Sequence, residues 1–115
     1  MRLKAELFIS ALIRRVFAGG GFAAVERHGA DDAGAIFIRQ RHRDGTVSLY
    51  APAPQSAFGE EGAESRLFET RMTRAEAEAA DSLMQREIRF DPDLWLVEVE
   101  AEDMGDLVPT TDSGR

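Results

Sequence analysis

Carboxylates dominate the segment with the strongest chemical signal, residues 90–100, which reads Phe-Asp-Pro-Asp-Leu-Trp-Leu-Val-Glu-Val-Glu. Its four acidic side chains are Asp91, Asp93, Glu98 and Glu100. Proteins bind Mg²⁺ through carboxylate oxygens, and a bound metal ion can activate water for hydrolysis. A metal-dependent hydrolase or nuclease built on these four residues is therefore one functional hypothesis.

The spacing within this segment departs from a known pattern of carboxylate nucleases. The PD-D/E-x-K nucleases place a lysine two positions after their second carboxylate, and Glu100 stands at that position here. Asp93 precedes Glu98 by only five residues, which is a cramped spacing for a shared metal ion. A strand with one solvated acidic face explains Glu98 and Glu100 without any metal, with Asp93 in a turn and Trp95 in the core.

Arginines supply the second functional hypothesis. Arg14 and Arg15 offer two donors on the polar side of a predicted helix, whereas Arg39 and Arg41 point the same way from a predicted strand that ends near Arg43. Guanidinium groups bind carboxylates and phosphates through paired N–H donors. If the helix lies near the strand, these residues form one basic patch, although a solvated surface explains the same arginines. We favour a non-enzymatic binding or interaction module that contacts a protein partner or a small anionic ligand through Arg14, Arg15, Arg39 and Arg41.

The remaining residue types offer little further chemistry. His28 and His42 are the only histidines, and both lie near acidic residues, but neither a His-x-His nor a His-Glu-x-x-His spacing is present. The glycines at 19–21 follow a predicted helix rather than precede one, so they predict a helix end and not a phosphate loop. The absence of cysteine excludes thiolate catalysis, and no Gly-x-Ser-x-Gly motif occurs. We predict neither a metal nor a cofactor.

Length and charge predict one small acidic domain. The chain has 115 residues with 21 acidic and 14 basic side chains, and its net charge of −7 disfavours nucleic acid as a partner. The charge is uneven, because residues 1–43 carry a net +4 and residues 44–115 a net −11. No apolar run reaches the length of a membrane span, and Arg14 and Arg15 interrupt the N-terminal apolar stretch. We therefore expect a cytoplasmic protein without a membrane contact.

Residue periodicity places the elements of the first half of the chain. Alternation over residues 3–9 predicts a strand, followed by an amphipathic helix with Ser10 as its N-cap and an apolar stripe that includes Val16 and Phe17. A single helix from about residue 4 fits the same residues. Further strands are predicted over residues 22–27, 35–41 and 47–51, with an Asp44-Gly45 hairpin turn between the last two.

The second half of the chain is also predicted to contain both strands and a helix. Residues 53–65 have no periodicity and predict a mobile loop, and a strand is predicted over residues 66–71. Thr73 and Glu76 predict a capping box for a second helix that ends near Arg89, before a strand over residues 94–100. Together, these predicted strands and helices indicate an α+β domain over residues 1–103, with a mostly antiparallel sheet of five to six strands covered by two helices. Residues 104–115 are predicted to be a flexible tail, and an exposed sheet edge leaves a homo-oligomer as an alternative.

The combination of these segments resembles a known family. The double arginine Arg14-Arg15 follows an apolar N-terminus, and it is joined by the segments at residues 32–36, 49–52 and 89–100. Together they are similar to a family of short uncharacterised alphaproteobacterial proteins, classified as a domain of unknown function, over about residues 3–100. The resemblance implies a free-standing intracellular bacterial domain, and it supplies no activity, cofactor or catalytic residue.

Overall fold

The computed structural model describes residues 4–54 and 66–110, which form a five-stranded sheet and two α-helices. The elements are α1 (Ala5–Ala18), β1 (Phe22–Arg27), β2 (Ile36–Arg41), β3 (Val47–Pro52), β4 (Phe68–Ala75), α2 (Ala77–Phe90) and β5 (Trp95–Glu100). The strand order is β1-β5-β2-β3-β4, and every neighbouring pair is antiparallel except β2 and β5, which are parallel. The predicted α+β class, with two helices and a mostly antiparallel sheet, is confirmed.

Helix α1 begins where alternation predicted a strand, so the strand over residues 3–9 is wrong and the single helix from about residue 4 is right. The buried positions Ala5, Ile9, Leu12 and Val16 recur at intervals of three and four residues, which places them on one helical face. Leu7, which belonged to the alternating pattern, is exposed on the outer side of the helix.

Tertiary contacts replace the predicted caps at the start of α1. Ser10 lies inside the helix, and the N-cap residue Lys4 makes no side-chain capping bond. The amides of Ala5 and Glu6 instead donate to the main-chain carbonyls of Asp32 and Asp31, each at 3.1 Å. These carbonyls satisfy donors that every helix start leaves free, so a loop distant in sequence caps α1.

The glycines at 19–21 end α1, as predicted. Their amides donate back to helix carbonyls, Gly19 to Arg15 at 3.1 Å and Gly21 to Val16 at 2.9 Å. Gly20 has a φ of +90°, a left-handed conformation that favours glycine. A Cβ on Gly21 would lie 2.8 Å from the Glu100 carbonyl oxygen, so this glycine lets the chain pass close to β5.

The hairpin between β2 and β3 also follows the prediction. Gly45 has a φ of +90°, and the Asp44 carboxylate accepts hydrogen bonds from the Thr46 amide at 2.9 Å and from the Thr46 hydroxyl at 2.6 Å. The predicted capping box, by contrast, is wrong. Thr73 lies in β4, and Glu76 is itself the N-cap of α2 without a side-chain capping bond.

Two apolar clusters hold the layers together, one on each side of the sheet. The larger cluster joins the buried side of α1 to Ile36, Ile38, Trp95 and the β5 valines. The smaller cluster joins Leu83 and Met84 of α2 to residues such as Phe37 and Leu49. Because successive strand residues face opposite sides of the sheet, β2 and β5 contribute side chains to both clusters.

The chain beyond β5 packs on the larger cluster over the residues that the structure describes. A 3-10 turn over Gly105–Leu107 lies between Met104 and Val108, which are both buried. The Phe68 amide donates to the Pro109 carbonyl at 2.9 Å, and Phe68 forms a bridge with Thr110. Residues 104–110 of the predicted flexible tail are therefore part of the packed structure, because their apolar side chains cover the edge of the core. The predicted loop over residues 53–65 lies mostly outside the described residues.

Candidate functional site

Strand β5 is the centre of the acidic segment and of the sheet. It lies between β1 and β2, and every residue from Trp95 to Val99 is buried. Glu98 is among them, with a side chain that is only 12% exposed. The predicted solvated acidic face is therefore wrong at Glu98, because two neighbouring strands and their side chains cover it, whereas Glu100 is exposed.

Ion pairs surround Glu98. Arg39 donates to Glu98 Oε1 from Nε at 3.0 Å and from Nη2 at 2.8 Å, and Arg41 donates to both carboxylate oxygens at 3.3 Å. Arg39 also donates to Asp81 of α2 and to Glu26 of β1, each at 3.0 Å. The register explains these contacts, since Arg39 is opposite Glu98 on the parallel pair and Arg41 is opposite Glu100.

We call the surface formed by these ion-paired side chains the charged face. It contains residues from both functional hypotheses. Its members are Glu26, Arg39, Arg41, Asp81, Glu98 and Glu100. Arg39 and Glu98 are held almost out of solvent, whereas the other four side chains are about half exposed. Sequence reasoning missed Glu26 and Asp81, because only the fold brings β1 and α2 to Arg39.

Helix α2 leaves the charged face open. It packs against β3 and β4, through Leu83 and Met84. On the same side of the sheet, Leu96 of β5 packs in the α2 cluster, and beyond it towards the edge lie Glu98, Glu100 and the small side chain of Ala24 on β1. A half-covered sheet therefore presents charged groups in fixed positions to the outside.

The structure does not bring the four predicted carboxylates together. Asp91 ends α2, and its carboxylate accepts the Asp93 amide at 3.2 Å in the turn before β5. Glu98 and Glu100 lie at the other end of the strand, and five residues of extended chain separate Asp93 from Glu98 by roughly 16 Å. A metal ion cannot bridge that distance.

The predicted basic patch is also divided. Arg14 and Arg15 are exposed on α1, which packs on one side of the sheet. Arg39 lies on the opposite side, where it contacts Asp81 of α2. A joint basic patch required α1 to lie beside Arg39 and Arg41 of β2, and it does not. The packing of α1 on Ile36 and Ile38 determines this separation.

A cleft of about 610 Å³ opens at the carboxyl ends of the parallel strands β2 and β5, and we call it the end cleft. Its lining residues are Gly19, Gly20, Gly21, Arg41, His42, Arg43, Glu100, Ala101, Glu102 and Asp103. The glycine amides are used by α1, so they do not cradle an anion. Glu102 accepts the Arg43 amide at 3.0 Å and Asp103 accepts the Gly105 amide at 2.9 Å. Crevices at the carboxyl ends of parallel strands are frequent ligand sites.

A second cleft, of about 560 Å³, shares His42 with the first. His42 is buried, and its Nε2 lies 2.8 Å from the hydroxyl of buried Ser48, which also accepts the Arg74 amide at 3.1 Å. No described group bonds the buried His42 Nδ1. Arg74 has a φ of +46°, and its guanidinium lies 3.6 Å from Asp44 and 3.7 Å from Glu102. Ser48 and His42 both line this cleft, but both are buried, so little of the serine–histidine pair is exposed to solution.

Three groups at the start of α1 are near enough to share a metal ion. Within residues 4–54 and 66–110, Glu6, His28 and Asp31 offer ligand atoms that all lie within 4.8 Å of one another. All three residues are exposed, and the His28 ring lies 4.1 Å from the ring of Trp95, centroid to centroid. His28 was weighed from the sequence with its acidic neighbours, but Glu6 reaches it only through the fold.

Strand β1 forms one edge of the sheet and carries exposed apolar side chains. Phe22 and Val25 of β1 and Phe17 of α1 are each 40% to 50% exposed, and the rings of Phe17 and Phe22 meet edge to face at 5.5 Å. The sequence placed Phe17 in the buried stripe of α1, which is wrong, because Phe17 lies at the flank of the helix beside β1. We call these three residues and the outer side of β1 the apolar edge.

Neither helix of the described chain is long and apolar enough to cross a membrane. The model of a family described as "Protein of unknown function (DUF1491)" matches residues 3–109. No curated protein matches the chain.

Solved structures share the fold over nearly the full length. A protein from A. tumefaciens, known from a solution structure, is 57% identical with a TM-score of 0.86, and the alignment covers 97% of each chain. A DUF1491 family protein from Caulobacter crescentus CB15 is 31% identical in its crystal structure, with a TM-score of 0.76 and coverage of 96% of this chain and 99% of that one. An NMR structure of a DUF1491 family protein from the same organism is 32% identical, with a TM-score of 0.76 and coverage of 96% and 97%.

Proposed function

The chain belongs to the DUF1491 family, whose description names no activity, and we propose from its surface that it is a non-enzymatic interaction module for a protein partner. The observation that carries this proposal is the apolar edge. Among the residues that the structure describes, three of the five exposed large apolar side chains lie there, at Phe17, Phe22 and Val25. Exposed apolar side chains that gather at one place on a soluble domain mark a contact surface more often than scattered ones do.

The charged face adjoins this edge and supports the same proposal. Phe22 is opposite Glu100 and Ala24 is opposite Glu98 in the register of β1 and β5. Protein interfaces combine an apolar centre with a polar rim, and both components lie side by side here. The network around Arg39 fixes the charged groups before any partner arrives, so binding does not have to order them.

A paired set of variants tests the proposal. Phe22→Ser with Val25→Ser removes apolar area from the edge, and Leu7→Ser with Phe90→Ser removes it elsewhere, since Leu7 and Phe90 are also exposed. We expect the edge variant to lose proteins that the wild-type chain retains from native cells, whereas the control variant keeps them. Thermal melting of both variants shows whether either change affects the fold, and quantitative mass spectrometry measures recovery.

Equal recovery by the edge variant and the wild type, with both folded, would show that the apolar edge is not the contact surface. If only the control variant lost the retained proteins, the contact surface would lie on α1 or at the end of α2. Both outcomes contradict the proposal, because each separates partner binding from β1.

A small anionic ligand in the end cleft is the second candidate function. The observation that favours it is Arg43, which lines the cleft beside half-exposed Arg41 and whose guanidinium has no carboxylate within ion-pair distance among the described residues. Inorganic phosphate is a suitable probe. We expect it to shift the NMR signals of residues 41–43, and Arg43→Ala to abolish the shifts. Arg14→Ala with Arg15→Ala serves as the control, because both side chains lie on exposed positions of α1.

In the control pair we expect an almost unchanged melting temperature, since surface substitutions without partners alter stability by about 0.5 kcal/mol or less. A large destabilisation would show that Arg14 and Arg15 have a structural role. Phosphate shifts that persist in Arg43→Ala would remove the end cleft as the anion site.

A further inference from the structure

We propose that the partner contributes an extended strand that adds to β1 as a sixth strand of the sheet, with apolar and basic side chains in alternation. This inference rests on the proposed interaction function, and it names the chemistry of the segment that binds. Three features of the described residues support it: the free side of β1, the apolar residues beside it and the charge of the neighbouring face.

The main chain of β1 is the first feature. Within the described chain β5 is the only strand paired with β1, so the outer side of β1 presents backbone donors and acceptors without a strand partner. Such an edge binds another strand through main-chain hydrogen bonds. The register shifts between Val25 and Arg27, and this irregularity limits the regular part of the edge to Phe22–Val25.

The second feature gives one side of the added strand an apolar character. Val25 points to the same side as buried Ala23, towards α1, because residues two apart in a strand share a face. Phe17 and half-buried Ile13 of α1 lie along that side. Side chains of an added strand that point towards α1 would cover Val25 and Phe17, and apolar side chains gain most from that position.

The third feature gives the opposite side of the added strand a basic character. Glu26 points away from α1 and pairs with Arg39, so an added strand would send alternate side chains towards the charged face. That face holds the four carboxylates of Glu26, Asp81, Glu98 and Glu100 against the two guanidinium groups of Arg39 and Arg41. The excess of negative charge favours lysine or arginine in the partner.

The same charge disfavours a second copy of this chain on the edge. Antiparallel pairing of two β1 strands about a twofold axis would join two charged faces into one surface and bring both Glu26 side chains to it. Each copy contributes the same excess of carboxylates, so the two faces repel each other. The occupant that fits is therefore a strand from a different protein.

A synthetic heptapeptide of alternating lysine and valine is the probe. Titrated into the ¹⁵N-labelled chain, it should shift signals of residues 22–27 and slow the hydrogen exchange of alternate β1 amides, those on the outer side. A glutamate–valine peptide should bind about tenfold more weakly, since like charges on a shared sheet face repel. A lysine–valine peptide N-methylated at alternate residues should not bind, because it lacks the main-chain donors.

Two charge variants sharpen the same experiment. Glu26→Gln should weaken binding of the lysine–valine peptide several-fold while the melting temperature changes little, because Glu26 is only one of three carboxylates around Arg39. Glu78→Gln is the matched control, since it removes the same charge from the exposed start of α2, away from the edge. If the two variants weakened peptide binding equally, the effect would come from the net charge of the protein and not from the position of Glu26. That result would overturn the preference for a basic partner strand.

Several outcomes overturn strand addition itself. They are no binding of the lysine–valine peptide, equal binding of the N-methylated peptide, and binding without slower exchange at β1. Slow β1 exchange that grows with protein concentration in the absence of peptide would assign the edge to a second copy. If the variant with Phe22→Ser and Val25→Ser still loses its partner in any of these cases, the apolar edge remains the proposed interaction surface and only the addition of a strand is rejected. If recovery is unaffected, the proposed function fails first.

Discussion

The two sides of the sheet differ in how they are closed. On the α1 side, apolar residues from the helix, from β1, β2 and β5 and from the segment after β5 form one continuous cluster. On the other side, α2 packs on a smaller cluster with side chains from β2, β3 and β5, and the surface near β1 carries ion pairs instead. Apolar burial depends little on orientation, whereas ion pairs require fixed partners and fixed distances.

This difference separates stability from recognition within one small domain. Among the described residues, the α1 side contains the two largest fully buried side chains, Trp95 and Phe68, and the burial of large apolar side chains contributes most to folding. The open half of the other side displays charges that a partner can contact, and the apolar edge lies where the two sides meet. Variants on the two sides should therefore change different properties.

The largest expected effect concerns the α1 side. Leu12→Ala should lower the free energy of unfolding by about 3 kcal/mol, because it removes a buried side chain and leaves a cavity. Leu83→Ala, which makes the same change under α2, should cost about 2 kcal/mol, since its smaller cluster is nearer to solvent and can relax. Urea denaturation measures both values, and a larger loss for Leu83→Ala would reverse the assignment of stability to the α1 side.

An intermediate effect is expected for the charged face. Glu98→Gln should destabilise the fold by about 2 kcal/mol, because it weakens charge-assisted bonds from two arginines at a largely buried position. Glu100→Gln should cost less than about 0.5 kcal/mol, since Glu100 is half exposed and lies 3.9 Å from Arg41. If the two substitutions have equal effects in urea denaturation, Glu98 is not the centre of the network.

The smallest effect belongs to the exposed hairpin turn. The Thr46 hydroxyl and then its amide bond the Asp44 carboxylate, and they lower the pKa of Asp44. Thr46→Val should raise that pKa towards its ordinary value, because only the amide donor remains. Since the folded-state pKa is depressed, the stabilisation is present above the unfolded pKa and is lost as pH falls through the folded one. An NMR titration of the Asp44 carboxyl carbon measures the change, and an unaltered pKa in the variant would contradict the role of the hydroxyl.

The sequence predicted most elements that depend on local patterns. The Asp44-Gly45 turn, the glycine end of α1 and the alternation of β5 apolar side chains between the two sides of the sheet follow from nearby residues, and the structure confirms them. The start of α1 did not follow, because carbonyls of residues 31 and 32 cap it through space. Alternating and helical spacing share positions 5 and 9 and differ at Leu7, so the packing of the helix on the sheet is needed to distinguish them.

The candidate site depended more strongly on tertiary structure. Arg39 and Glu98 were both selected from the sequence, but for two opposing hypotheses, and their ion pair joins residues 59 positions apart. Arg14 and Arg39 share a charge but not a side of the sheet, which only the docking of α1 determines. The apolar edge was missed because Phe17 has helical spacing with buried residues, yet it lies at the border of the buried stripe.

Hydrogen exchange of the β1 amides in the free protein tests whether the outer side of β1 is open to a partner strand. We expect alternation: the amides that bond β5 exchange slowly, and those on the outer side exchange nearly as fast as in an unstructured peptide. The pattern should not change on tenfold dilution. Uniformly slow exchange along Phe22–Val25 at low concentration would mean that the edge is already covered, and it would contradict the assignment of β1 as an open binding edge.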